Sequence, residues 1–220
     1  MTLPIIVIGF GGHGRVVAAA LAAAGRRLIA VTDLHPNVVE NAPKNVEVIT
    51  DEILLNRYGP QEVMLALGIG SVRPTNEQGL TRQTVKSFQN LGYRFIGFQH
   101  PAAWVACDAI VSPTAQIHAG VIVQPGTTIG DFSILNTKSS VDHDCQIGAF
   151  CHVGPGSTLS GNVYVGDGSH LGTGCNVIQG IRIGIRSFVA AGATVVRNVP
   201  DLESVKGVPA RSFRPSYFTN

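Results

Sequence analysis

The chain has 220 residues, 45% of them hydrophobic and 14% charged, with a formal net charge of +2. That composition suits one large or two modest buried cores, excludes a disordered or fibrous chain, and offers no basic footprint for nucleic acid. No apolar run approaches the roughly 20 residues needed to cross a bilayer, and Met1-Thr2-Leu3-Pro4 carries no basic leader, so no membrane partner is expected and the cytoplasm is the expected compartment.

Ile5 to Ile8 form a short apolar run, followed by Gly9-Phe10-Gly11-Gly12-His13-Gly14 and the alanine-rich Val16 to Ala24. This order predicts a buried strand, a glycine turn and a helix, with Gly25 where a helix stop belongs. The glycines fit G-x-G-x-x-G, and Asp33 follows a second apolar run, Leu28 to Val31, about where a dinucleotide fold places the acid for its ribose. Small residues there let backbone N–H groups and a helix N-terminus approach a pyrophosphate. A helix over Asp51 to Arg57, a strand over Val63 to Leu67 ending in Gly68-Ile69-Gly70, and a longer helix from Pro74 to Leu91 come next. Strand, glycine turn and helix thus occur twice, which predicts a small Rossmann-like parallel α/β domain over 1–100 with its ligand beyond the strand C-termini. His100-Pro101 marks its end, because the residue before proline leaves helical space.

Over 101–220 one rule takes over. Val105, Val111, Ile117, Val123, Ile129, Leu135, Val141, Ile147, Val153, Leu159, Val165, Leu171, Val177, Ile183, Val189 and Val195 are sixteen aliphatic residues in succession, each six after the last. Two residues ahead runs a column of small or β-branched side chains that includes Thr127, Ser133, Ser139, Cys145, Cys151, Ser157, Ser169 and Cys175. Alternate positions of a strand face the same way, so both columns share one narrow interior while the Gly, Asp and Asn residues between them turn corners. The period is that of a hexapeptide β-helix, whose coils stack at about 4.8 Å. The repeat fails at Pro200, and Lys206-Gly207-Val208-Pro209-Ala210-Arg211 is expected to cap the open end.

Charge is unevenly spread. Val105 to Ile181 holds one base, Lys138, against Asp108, Asp131, Asp142, Asp144 and Asp167, whereas Arg182 to Arg214 carries Arg182, Arg186, Arg197, Lys206, Arg211 and Arg214. A small polyanion could dock at that end, or it is a solvated basic tail. Three of the four cysteines fall in the inward column and no Cys-x-x-Cys occurs, which reads as reduced core thiols, with no disulfide framework or zinc site. His118, His143, His152 and His170 are spaced 25, 9 and 18 apart, unlike the histidines of metal-dependent β-helix enzymes, so no metal is expected. His143 stands two residues after a ladder position, between Asp142 and Asp144, and is therefore a corner residue: either a general base or a solvated turn.

Gly-Phe-Gly-Gly-His-Gly near the start, Ile134-Leu135-Asn136-Thr137 and Val141-Asp142-His143-Asp144-Cys145 in the repeat, and Gly207-Val208-Pro209-Ala210-Arg211 near the end together resemble one family. It is the sugar-nucleotide N-acetyltransferases of the PglD, NeuD and perosamine acetyltransferase type, and the likeness covers essentially the whole chain. The resemblance implies a three-sided, left-handed β-helix, roughly five coils here, with residues eighteen apart in line. It implies transfer from acetyl-CoA to the amino group of a nucleotide-linked 4-amino-4,6-dideoxysugar, such as GDP-perosamine or a UDP or dTDP relative. Gly11, Gly12, His13, Thr32, Asp33 and Gly68 match its nucleotide contacts. Thr32 stands where some members have an acid and Asp144 where some have Glu, which leaves the nucleobase open.

In the same way the resemblance makes His143 the general base, and Asp144 is assigned the orienting of its ring. Gly161, eighteen residues on, then lies one coil along at the same corner, and the family match aims its N–H at the acetyl carbonyl. His152 matches a coenzyme contact, and Thr173 and Ala191 match backbone contacts along the pantetheine arm. Lys206 and Arg211 are expected at the coenzyme phosphates. Cysteines that face inward need no acetyl-enzyme, so direct transfer is expected. His152 is nine residues from His143, half a coil, so the two face one another only across subunits, as in the homotrimers of related acyltransferases. An O-acetyltransferase of the sialic-acid type and a non-catalytic sugar-nucleotide-binding protein are the alternatives.

Overall fold

The computed structural model describes residues 3–34, 42–70, 74 and 79–214. Its contacts fall into two compact units, one of Met1–Gly70 with Glu77–His100 and one that contains Pro101–Asn220.

The first unit has β1 (Ile5–Ile8), α1 (Gly12–Ala23), β2 (Leu28–Thr32), β3 (Glu47–Ile49), α2 (Asp51–Arg57), β4 (Met64–Leu67) and α3 (Leu80–Asn90). The sheet is parallel throughout, in the order β3-β2-β1-β4. Each residue of β1 is buried, which is why Ile5 to Ile8 reads as an unbroken apolar run and not as an alternation. Val17, Ala18 and Leu21 of α1 pack on that sheet.

Three boundaries differ from the sequence reading. α1 begins at Gly12, inside the glycine motif, so Gly12, His13 and Gly14 are its first turn and only Gly9 to Gly11 are the bend. α3 begins at Leu80, after an extended Gly79; of the expected start, 75–78 lie outside the described residues. β3 was not anticipated, being three residues with a single buried side chain. Gly25 does stop α1, at φ +66. Gly14 and Gly68 serve packing: a Cβ on either would run into the Gly9 carbonyl oxygen.

The second unit is a three-sided parallel β-helix built of two-residue strands paired eighteen apart. One face runs Trp104, Ile122, Ser140, Thr158, Asn176, Thr194; a second runs Ile110, Thr128, Gln146, Tyr164, Arg182; a third includes Gln116, Ile134, His152, His170, Phe188. The aliphatic ladder fills the interior, with only Val105 and Val111, in the first coil, half-buried. Hydroxyls of the small column do structural work there. Ser169 Oγ donates to the Gly184 carbonyl at 2.6 Å and accepts from Ser187 N at 3.0 Å, and Ser133 bridges Gly148 O and Cys151 N in the same way. A buried corner carbonyl and an amide of the next coil are both satisfied by one small side chain.

The corners obey a third column. Every sixth residue from Gly120 to Gly192 has positive φ, between 50° and 72°, glycine at some and Phe132, Lys138, Asp144, Phe150, Asn162 and Arg186 at the others. Asp and Asn tolerate this conformation better than most residues. Past the last coil, Ser204–Lys206 pairs with Phe188–Val189, and Arg211–Ser212 folds back antiparallel on it as the cap.

Candidate active site

His143 is at the corner between the first and second faces, one residue before the positive-φ position held by Asp144. That bend turns the Asp144 carboxylate back onto the ring, with Oδ2 2.9 Å from His143 Nδ1. The pair is solvent-facing, the His143 side chain being 61% exposed. Its pKa is raised above the ordinary histidine value, first by the hydrogen bond to Asp144, which outweighs an opposing loss of hydration, and then by the charges of Asp142 and Asp144. Asp142 also accepts the His143 backbone N–H, at 2.8 Å. With Nδ1–H donating to Asp144, Nε2 carries the lone pair.

Gly161 lies one coil along the same corner, and Asn162 N donates to His143 O at 2.8 Å. A Cβ added to Gly161 would fall 2.5 Å from both Cε1 and Nε2 of His143, so the ring edge rests directly on the glycine backbone. Among the described residues the Gly161 N–H takes no backbone acceptor. The corner therefore sets a basic nitrogen beside an uncommitted N–H donor, the pairing that acyl transfer needs.

The other solenoid candidates stand elsewhere. His152 is on the third face, with Nε2 3.0 Å from Asn136 Nδ2 and its ring centroid 4.7 Å from that of His170. Thr173 and Ala191 stack at the corner after that face, where Gly192 N donates to Thr173 O at 2.9 Å. Within one chain the filled interior, Val141, Ile147 and Val153 included, stands between His143 and this group. Near the cap, Arg197 and Arg211 line a hollow of about 200 Å³ together with Asn198 and Ser212. Arg197 is three coils from His143 at one corner, about 14 Å along the stack. Lys206 is engaged differently, its Nζ 4.8 Å above the Phe213 ring.

Cysteine chemistry is unfavourable here. Burial pushes the Cys151 thiol up to about 12 and the Cys175 thiol to about 11, and raises that of Cys145. The exposed Cys107 is two coils from His143, roughly 10 Å away. Among the described residues no three His, Cys, Asp or Glu side chains are grouped to hold a metal ion. Nor is any described helix long and apolar enough to cross a membrane.

In the first unit a cleft of about 440 Å³ opens at the C-terminal ends of the strands. Of the six expected nucleotide contacts, Gly11, Thr32 and Asp33 line it. Thr32 is buried and its Oγ1 accepts the Gly9 N–H at 3.2 Å, fixing the glycine bend. Gly12 and His13 open α1, and Gly68 is packed against Gly9. Thr50, Asp51, Glu52, Ile69, Leu80 and Thr84 are also among the residues that line it, none of them expected as contacts. The one available signal was Thr50, whose side chain caps α2 by accepting from Ile53 N at 3.2 Å.

Residues 4–76 match the PglD N-terminal domain family. A crystal structure of a histidine-to-asparagine variant of perosamine N-acetyltransferase from Caulobacter crescentus, in complex with CoA and GDP-perosamine, is 34% identical with a TM-score of 0.86, over 96% of this chain and 97% of that one. The acetyltransferase domain of PglB from Neisseria gonorrhoeae, in complex with acetyl coenzyme A, is also 34% identical, with a TM-score of 0.84 over 96% and 98%. WeeI from Acinetobacter baumannii shares the fold at 21% identity and a TM-score of 0.81, over 96% of this chain and all of WeeI. A Rossmann-like sheet followed by a left-handed β-helix, with relatives this similar along nearly their full length, shows that the chain belongs to the acetyl-CoA-dependent sugar-nucleotide acetyltransferases of the PglD, NeuD and perosamine N-acetyltransferase type.

Proposed function

We propose that this enzyme acetylates the C4 amino group of a nucleotide-linked 4-amino-4,6-dideoxysugar by direct transfer, with His143 as general base. The observation that carries the reading is the His143–Asp144 pair set edge-on against Gly161. A sugar ammonium cannot attack a thioester until it has lost a proton. That first proton leaves to solvent; neutral His143 then accepts a second proton from the same nitrogen at Nε2 as the free amine bonds to the acetyl carbonyl carbon, while Asp144 favours the resulting imidazolium. Negative charge on the carbonyl oxygen is met by the Gly161 N–H, the C–S bond breaks, and the imidazolium returns its proton to the leaving sulfur. Inert buried thiols favour this route over an acetyl-enzyme.

On this reading residues 1–100 hold the nucleotide and 101–220 the coenzyme, in the cytoplasm, where buried thiols such as these stay reduced. His152, Thr173 and Ala191 serve the coenzyme of a neighbouring subunit's His143, so the working unit is a homotrimer. The separation of the two groups by the interior of one solenoid supports that arrangement. The test is thiol release from acetyl-CoA against a panel of GDP-, UDP- and dTDP-linked 4-amino-4,6-dideoxysugars, with His143→Ala alongside. Turnover with one of them, reduced by about 10²- to 10⁴-fold in the variant with coenzyme binding retained, is the expected result. Unchanged turnover in His143→Ala at pH 7 removes the residue from the mechanism.

A further inference from the structure

The cleft of the first unit is chemically polarised, and the polarity speaks to the nucleobase. The strands lie side by side in the order β4-β1-β2-β3, so their C-terminal ends present Ile69, then Gly9 to Gly11, then Thr32 to Leu34, then Thr50 to Glu52. α1 starts behind the Gly9–Gly11 bend with no acid in its first turn, whereas Asp33, Asp51 and Glu52 gather at the β2 and β3 end. A diphosphate is favoured at the first position by a helix N-terminus without a side-chain cap and by the dipole of that 12-residue helix, and repelled from the second by three carboxylates. The nucleotide therefore runs one way: phosphates at Gly11, ribose at Asp33, base at Thr50 to Glu52. Two large apolar side chains, Leu34 and Leu80, line the same cleft while 87% and 66% exposed, uncovered surface suited to the flat faces of a base.

We infer that the cleft selects a guanine nucleotide, read by the carboxylates of Asp51 and Glu52. A carboxylate is an acceptor only, and it pairs best with two adjacent donors. Guanine offers such a pair, N1–H beside the N2 amino group. Uracil and thymine offer one N3–H flanked by two carbonyl oxygens, which a carboxylate repels; adenine and cytosine set their amino group beside a ring nitrogen that is itself an acceptor. Both side chains are exposed at the cleft, and neither has an ion pair or side-chain hydrogen bond among the described residues. This inference deepens the proposed function and rests on its placing of the nucleotide in the first unit.

The test titrates the full chain calorimetrically with GDP, IDP, UDP and dTDP. GDP is expected to bind tightest, and IDP, which lacks only the N2 amino group, about tenfold more weakly, the size of effect a lost bidentate base contact gives. Asp51→Asn with Glu52→Gln, shape-preserving changes at exposed positions, should bring the GDP-to-IDP ratio close to one while binding of acetyl-CoA is unchanged. UDP or dTDP binding as tightly as GDP, or a double variant that keeps the GDP-to-IDP ratio, overturns the inference. Acetylation separates this from the broader reading. Turnover of a UDP- or dTDP-linked amino sugar in preference to the GDP-linked one defeats only the guanine assignment, whereas no acetylation of any nucleotide-linked amino sugar defeats the proposed function itself.

Discussion

Gly161→Ala is the sharpest test of the corner, because one methyl group acts on one atom. The new Cβ would fall 2.5 Å from His143 Cε1 and Nε2, where ordinary contacts begin near 3.4 Å, so one side must yield by about 0.9 Å. Gly161 is not at positive φ, and alanine suits its backbone. What gives way is the imidazole, held at the end of an exposed side chain by a single 2.9 Å bond to Asp144. The substitution keeps the Gly161 N–H, so a change in turnover reports the ring and not the oxyanion donor. A displacement of about 1 Å in a reacting group costs about 10²-fold in rate. The expected outcome is therefore kcat lower by about 10²-fold with an unchanged melting temperature and an unchanged KM for acetyl-CoA. Its companion is a pH profile whose acid limb moves down, because the bond that raises the His143 pKa is stretched or lost. Wild-type kcat in a folded Gly161→Ala protein would refute the argument that His143 acts from the position it occupies.

In Asp144→Asn the acid limb of kcat/KM, which in the wild type lies above the ordinary histidine pKa because only the neutral ring is a base, should move to lower pH and the plateau should fall; an unmoved limb separates Asp144 from His143. Co-refolding His143→Ala with His152→Ala chains, each impaired alone, should restore activity above either parent, while an active monodisperse monomer in sedimentation would end the intersubunit reading. Arg197→Ala with Arg211→Ala should raise the KM for acetyl-CoA more than that for the sugar nucleotide, and the reverse would mean that the hollow near the cap serves the other substrate. Ser169→Ala strips a buried bridge between Gly184 O and Ser187 N and should cost about 1–3 kcal/mol in denaturant unfolding, with no change in kcat.

The solenoid was legible because its rule is local: one strand face, one interior, one side-chain size per position, repeated without exception from Val105 to Val195. The small column was visible as well, but not its reason, since a serine that bridges two coils looks in sequence like any small residue. The first unit was harder. β3 makes no pattern in the sequence, being three residues with one buried side chain, and Pro74, a common first helical residue, points to a start for α3 ahead of Leu80. Both misses fall on the cleft wall, where Thr50 to Glu52 follow β3 and Leu80 and Thr84 belong to α3. Five of the thirteen residues that line the cleft follow β3 or belong to α3, and nothing local in the sequence marks them as its wall.

A repeat of this strictness also points to chemistry by what it leaves free. In each coil the ladder position must be aliphatic, the small position must fit the interior and the sixth-residue corner must accept positive φ. The residue just before that corner answers to none of these demands, and along the His143 corner it is Pro125, His143, Gly161 and Gln179, with Cys107 and Arg197 continuing the same eighteen-residue column at either end. Variation there cannot be read as packing. It places a base, a bare backbone donor and, three coils on, a guanidinium along one edge about 14 Å long. The neighbouring positive-φ column then explains why the orienting acid is Asp144: the bend demands a residue that tolerates φ 58, and aspartate meets that demand while its short side chain reaches Nδ1 of the preceding residue. The His143–Asp144 pair is thus a consequence of the corner geometry itself, with the fold supplying the turn and the sequence supplying only the two side chains that the turn brings together.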